Sequence, residues 1–230
     1  MRLRPSLVMA LAAGLSPLGV YAEDGYKVEP LREAPPEALA AAVKATLNPE
    51  GYRVQNGKGK PLVDLWLRKA VAATGKPAGP KGTVFLPFLA EGELLGALRF
   101  PSEGHDFRDQ PIAAGVYTLR YGLQPVNGDH LGASQYRDFA LLLEAAKDTS
   151  LQPVSPKKVE EQSAEAAGSS HPAVLMLLPA PPEAKSEPSM VHDETKDTWG
   201  AVVPLVLSIK GESSTARFPI QVVVVGVAMN

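Results

Sequence analysis

The segment IAAGVYTLRYGLQ, residues 112–124, decides the fold class. Ala114-Gly115 reads as a turn, and Val116 to Leu123 alternates strictly. Tyr117, Leu119, Tyr121 and Leu123 fall on one face, while Thr118 and Arg120 fall on the other beside Gly122. Successive side chains of a strand point to opposite faces, so this is a β-strand with one face turned to a core.

Upstream, the same period returns. Leu62 to Arg68 puts Val63, Leu65 and Leu67 on one face and Asp64, Trp66 and Arg68 on the other. It is preceded by Tyr52–Val54 and the turn Asn56-Gly57-Lys58-Gly59, a hairpin signal. Thr83–Phe88 and Leu94–Phe100 are further strand candidates around a Glu91-Gly92-Glu93 turn, after a Gly/Pro/Lys loop over 74–82. Tyr26–Glu29 opens the set. Downstream come Phe139–Leu143, Ala173–Leu178, Thr198–Ile209 and Phe218–Val227. Pro204 inside its run points to a sheet edge or a bulge.

Helix is scarce. Leu39, Val43 and Leu47 make one apolar stripe, which predicts an N-terminal helical segment over about 36–47 that opens on Pro35-Pro36. Ser155-Pro156 before KKVEEQSAEAA and Gly168 predicts a short capped helix near 156–167. Pro179 to Asp197 reads as an exposed loop. The expected class is therefore mainly β, an antiparallel β-sandwich of about 8–10 strands carrying these two helices.

Composition narrows the chemistry. The 230 residues include no Cys, which excludes disulfides, thiolate metal sites and thiol nucleophiles. With 23 Lys+Arg against 25 Asp+Glu there is no basic face for nucleic acid, and the Lys-bearing stretches 57–60 and 157–158 are too short to make one. Arg2 and Arg4, the apolar run Leu7–Leu15, the breaker Pro17 and Val20-Tyr21-Ala22 have the anatomy of a secretory signal peptide. The expectation is a leader over 1–22 cleaved after Ala22. That leaves 23–230 as a single β-sandwich domain, soluble in the periplasm or secreted. A bilayer span needs about 20 apolar residues, and the longest later run, Val222–Met229, falls far short.

Candidate ligands and catalysts cluster in loops. His130 lies in NGDHLGASQYRD with Asp129, Arg137 and Asp138, a candidate ligand-binding set. His130, His171 and His192 each sit beside a strand candidate, and with Asp129 or Asp138 they would offer a divalent metal ion such as zinc a nitrogen and oxygen shell. No pair has the H-x-x-x-H or H-x-H spacing, so loop anchoring is the competing reading and no cofactor is otherwise called for. His105 lies in a loop beside the Arg108-Asp109 pair. Ser134, Ser169 and Ser170 stand near histidines without a G-x-S-x-G elbow, so no catalytic residue is assigned. Trp66, Tyr117, Tyr121 and Trp199 allow a sugar-stacking surface, against which stands ordinary half-buried packing.

DLWLRK (64–69), AAGVYTLRYGLQPVNGDHLG (113–132), YRDFALLLEAAKD (136–148) and SSHPAVLMLLP (169–179) together resemble a family of uncharacterised exported bacterial β-rich proteins. The resemblance implies a secreted β-rich domain and brings no activity, substrate or cofactor with it. The expected function is a non-enzymatic binding or structural module of the cell envelope, its ligand an unidentified envelope or extracellular molecule. The alternatives are the metal-dependent site and a carbohydrate-binding module.

Overall fold

The computed structural model describes residues 25–126, 134–182, 184 and 188–227. Its elements in chain order are β1 (Lys27–Leu31), α1 (Ala41–Thr46), β2 (Gly51–Gln55), β3 (Pro61–Leu67), β4 (Val71–Ala73), β5 (Leu94–Phe100), β6 (Gly104–His105) and β7 (Pro111–Ile112). There follow β8 (Gly115–Leu123), β9 (Asp138–Glu144), α2 (Pro156–Ala167), β10 (Val174–Pro179), β11 (Ser189–Asp193), β12 (Thr198–Ile209) and β13 (Thr215–Val225). Strict alternation became strand, and the predicted bounds of β12 are met. The Asn56 side chain closes the β2–β3 turn by accepting the N–H groups of Lys58 and Lys60, each at 3.0 Å.

The chain is mainly β, but its strands are not two stacked antiparallel layers. They form one curled mixed sheet, a half-barrel, along the path β1-β2-β3-β5-β8-β9-β10-β13-β12-β11. β4 adds to β12 in parallel. A sandwich needs a break between its layers, and β10 removes it. Val174–Met176 pair with β9, and Leu177–Pro179 pair with β13. Alternation reports only which face is buried, and a curled sheet buries its concave face as thoroughly as a sandwich buries two facing ones. The two ends of the path, β1 and β11, approach one another without a ladder between them.

The concave face holds the main core: Val63, Leu65 and Leu67 of β3, Tyr117, Leu119 and Tyr121 of β8, Leu205 and Leu207 of β12, Ile220 and Val222 of β13. The convex face is covered from outside. α2 matches its predicted span, with Pro156 at its start and Gly168 in the left-handed conformation at its end. Its Val159 packs with Phe139, Leu141, Leu143 and Met176. α1 is shorter than the expected 36–47. Prolines 35 and 36 lack N–H donors, and Ala40 is extended (φ −54°, ψ 136°), so the helix starts only at Ala41. The stripe Leu39, Val43 and Leu47 is nevertheless buried, against Trp66, Leu94 and Ala97.

Three further expectations need correction. Thr83–Phe88 is not a strand. It is an irregular segment whose Phe85, Leu86 and Phe88 fill the concave core, so its apolar run reflects burial without a ladder. β4 was not foreseen, being three residues long. β11 falls inside the predicted loop 179–197; an edge strand with two apolar residues, Met190 and Val191, carries too little alternation to register. Pro204, by contrast, sits where its missing N–H costs nothing, between the part of β12 paired with β11 and the part paired with β4.

Gly92 fixes the crossing of two segments over the sheet. Its φ is +79°, and a Cβ there would lie 1.7 Å from the Val154 carbonyl oxygen. Its N–H donates to the Tyr121 carbonyl, and its own carbonyl accepts from Val154 N–H.

Candidate functional site

The residues singled out in the sequence separate into three groups. Asp129 and His130 lie outside the described residues. Arg137 and Asp138 are built into the scaffold. Arg137 donates from Nε to the Gln124 carbonyl at 2.6 Å, and its N–H donates to the Thr83 carbonyl. Asp138 is fully buried and accepts from Phe85 N–H (2.7 Å), Leu86 N–H (2.8 Å) and the Tyr121 hydroxyl (2.7 Å). Burial, then the bond to Asp138, pushes the Tyr121 hydroxyl well above the ordinary tyrosine range. This carboxylate pins the irregular core segment to β9.

His171 and His192 are surface residues with separate partners. The His171 N–H donates to Ser169 Oγ, which itself donates to Gln110 Oε1. His192 Nε2 faces Asp197 Oδ1 at 3.1 Å. β13 and β12 lie between β10, which His171 precedes, and β11, which carries His192. The strand ends flanking His130, Leu123 and Asp138, are at the other end of the sheet from the start of β10 and the finish of β11. Among the described residues no group of three His, Asp or Glu side chains is arranged to hold a metal ion.

Two groups of buried charges are engaged with one another. Arg53 of β2, Asp64 of β3 and Arg99 of β5 stand on one cross-strand rung. Asp64 is fully buried and accepts from both guanidinium groups, while Glu33 caps both from outside. The Arg99 guanidinium lies 5.4 Å from the Trp66 ring centroid, and Trp66 Nε1 donates to the Glu33 carbonyl. Trp66 is thus a convex-face core residue, not a platform. Tyr117 and Tyr121 are likewise buried, on the concave face.

Arg120 is the most completely bound group. Its Nε and Nη2 donate to Asp148 at 2.7 and 2.8 Å, Nη1 to the carbonyls of Gly92 and Gln152, and Nη2 also to that of Ser150. All five guanidinium N–H donors are used. Beside it, Glu93 is buried and accepts from Arg68 Nη1 at 2.8 Å. Burial is the main cause that raises Glu93 above the usual carboxylate range, against the opposing pull of Arg68 and Arg120. A carboxyl raised on folding contributes stability that is fully present below its unfolded value and is lost as pH rises through its folded one. Relative to wild type, Glu93→Gln is therefore expected to be more stabilising at pH 7 than at pH 4. Urea midpoints of both proteins at the two pH values check this, and an unchanged difference would contradict it.

The open chemistry is at one end of the half-barrel, where β1 starts, β11 ends and β12 begins. The His192 ring stacks on Trp199 with centroids 4.1 Å apart and planes 8° from parallel. Tyr26, just before β1, meets Trp199 edge-on at 5.3 Å. Trp199 and Tyr26 are half-buried, and the Asp197 side chain is 88% exposed. Asp197 takes a left-handed φ of 49°. The only other described non-glycine residue with positive φ is Asp109, which holds His105 Nδ1 at 2.9 Å.

No protein-family model, curated protein or solved structure matches the chain. The reading of the site therefore rests on its own geometry.

Sequence reasoning found Trp199 and His192 but treated them separately, one as an aromatic and one as a metal ligand. It missed Tyr26 and Asp197. The signal for Asp197 is the register Asp193↔Thr198 and His192↔Trp199, visible only once β11 is recognised as a strand, while Tyr26 is brought in by the approach of β1 to β11.

Proposed function

We propose that this protein is an exported, non-enzymatic binding or structural module of the cell envelope. The observation that carries the reading is the contrast between its interior and its rim. The buried Asp64, Arg120, Asp138 and Asp148 are held by partners within the fold. The histidine–aspartate pairs and the Trp199 cluster sit on the surface at strand ends. A depression on the sheet side of α2 has room for about one water, 20 Å³, lined by Tyr121, Leu141 and Val159 among others. Recognition through exposed groups at the rim fits this arrangement.

The leader-like segment 1–22 supports export. Fractionation of expressing cells is expected to place a product starting at Glu23 outside the cytoplasm, and a full-length cytoplasmic product would overturn that part. Purified protein is expected to leave chromogenic ester, peptide and glycoside substrates unchanged. Turnover abolished by His105→Ala or His130→Ala would replace the reading with an enzymatic one.

A further inference from the structure

We infer that Tyr26, His192 and Trp199, with Asp197 beside them, form a saccharide-binding site at the rim of the half-barrel, an inference that rests on the binding-module reading above. Three rings from three parts of the chain meet there: the approach to β1, the end of β11 and the start of β12. The cluster lies where the two ends of the curled sheet approach, a place the fold leaves without a ladder.

The polar atoms around the rings point to the ligand class. The Trp199 indole N–H and the Tyr26 hydroxyl have no hydrogen-bond partner among the described residues. Asp197 gives one oxygen to His192 and exposes the rest of its carboxylate. Aromatic surface edged by donors and a carboxylate acceptor matches a pyranose, which has a flat C–H face and hydroxyls that both donate and accept. A purely apolar ligand would leave these polar atoms unmatched. An anion would meet the Asp197 carboxylate, with Lys196 of the same turn as the one basic side chain adjoining it in sequence. Trp66 is no competitor, being buried with its indole N–H bonded to Glu33.

The test titrates the purified protein with two soluble probes, the N-acetylglucosamine tetrasaccharide and cellotetraose, reading tryptophan fluorescence and heat. At least one probe is expected to give a saturable signal that Trp199→Ala weakens tenfold or more and that Asp197→Ala weakens several-fold. Tyr26→Ala, outside the sheet ladder, gives the same reading should Trp199→Ala lower the urea midpoint. No saturable signal with either probe overturns the site, as does binding that survives both the Trp199 and Tyr26 variants. Chromatography of the mixtures separates the two readings. A cleaved tetrasaccharide defeats the non-enzymatic function while the site stands. Intact sugar with Trp199-independent binding defeats the site while the module stands.

Discussion

Arg120→Ala is expected to destabilise the protein by about 4 kcal/mol, the range for removing one partner of a buried ion pair. Arg120 is fully buried on the convex side of β8, and Asp148 is 3% exposed. Removing the guanidinium leaves the Asp148 carboxylate with Thr118 Oγ1 as its remaining side-chain donor. It also strips a donor from the carbonyls of Gly92, Ser150 and Gln152, which lie on two separate segments. The residue therefore ties β8 to the Gly92 turn and to the stretch that leads into α2. Arg120→Lys is expected to recover little, because an ammonium has three donors for five acceptor contacts and no planar fork. Replacing both partners, Arg120→Met with Asp148→Leu, should be less damaging than the sum of the single changes, since no charge is left buried alone. Urea unfolding of the four proteins measures the coupling. Additive effects would show that Arg120 acts by packing alone.

Much of this architecture was legible in the chain, and the limits are physical. Period two assigned Tyr117, Leu119 and Tyr121 to one face and Arg120 to the other, and that is how β8 presents them. The same pattern could not distinguish a sandwich from a half-barrel. That choice is made by β10, whose two halves pair with different neighbours, and pairing is a long-range property. Thr83–Phe88 misled for a related reason. Its apolar residues are buried like those of a strand, but two consecutive backbone N–H groups are satisfied by a side chain, which no local pattern announces. At the rim, Trp199 and His192 were noticed and their partnership was not. A stack between residues on two antiparallel strands depends on register, and β11, with Met190 and Val191 adjacent, carries no apolar alternation to declare itself. Asp138 shows the opposite failure. It was singled out as a ligand-binding carboxylate because it sits beside a polar loop, whereas its three hydrogen bonds all run into the core.

That inward role makes Asp138→Ala the other change with a large expected effect, a loss of about 4–5 kcal/mol. The carboxylate satisfies two consecutive backbone N–H groups, Phe85 and Leu86, and the Tyr121 hydroxyl. Each buried donor left without an acceptor costs roughly 1–3 kcal/mol. Tyr121 has a longer alternative at 3.4 Å, the Leu86 carbonyl, so most of the penalty falls on the two N–H groups. These anchor a segment that places Phe85, Leu86 and Phe88 in the concave core, where Phe85 and Phe88 both pack against Phe218 of β13. The loss of one carboxylate should thus loosen the hold of this segment on β9 and, through Phe85 and Phe88, on Phe218 of β13. Two controls separate anchoring from mere burial. Tyr121→Phe deletes one donor and leaves the backbone bonds intact, so it is expected to cost about 1 kcal/mol. Asp138→Asn preserves shape but turns an amide toward one backbone N–H, so it should fall between the two. Hydrogen exchange at Phe85 and Leu86, read beside urea midpoints, is expected to rise in Asp138→Asn before the sheet itself loses protection. Equal midpoints for Asp138→Ala and Tyr121→Phe would refute the anchoring role, because the hydroxyl bond would then account for everything Asp138 does.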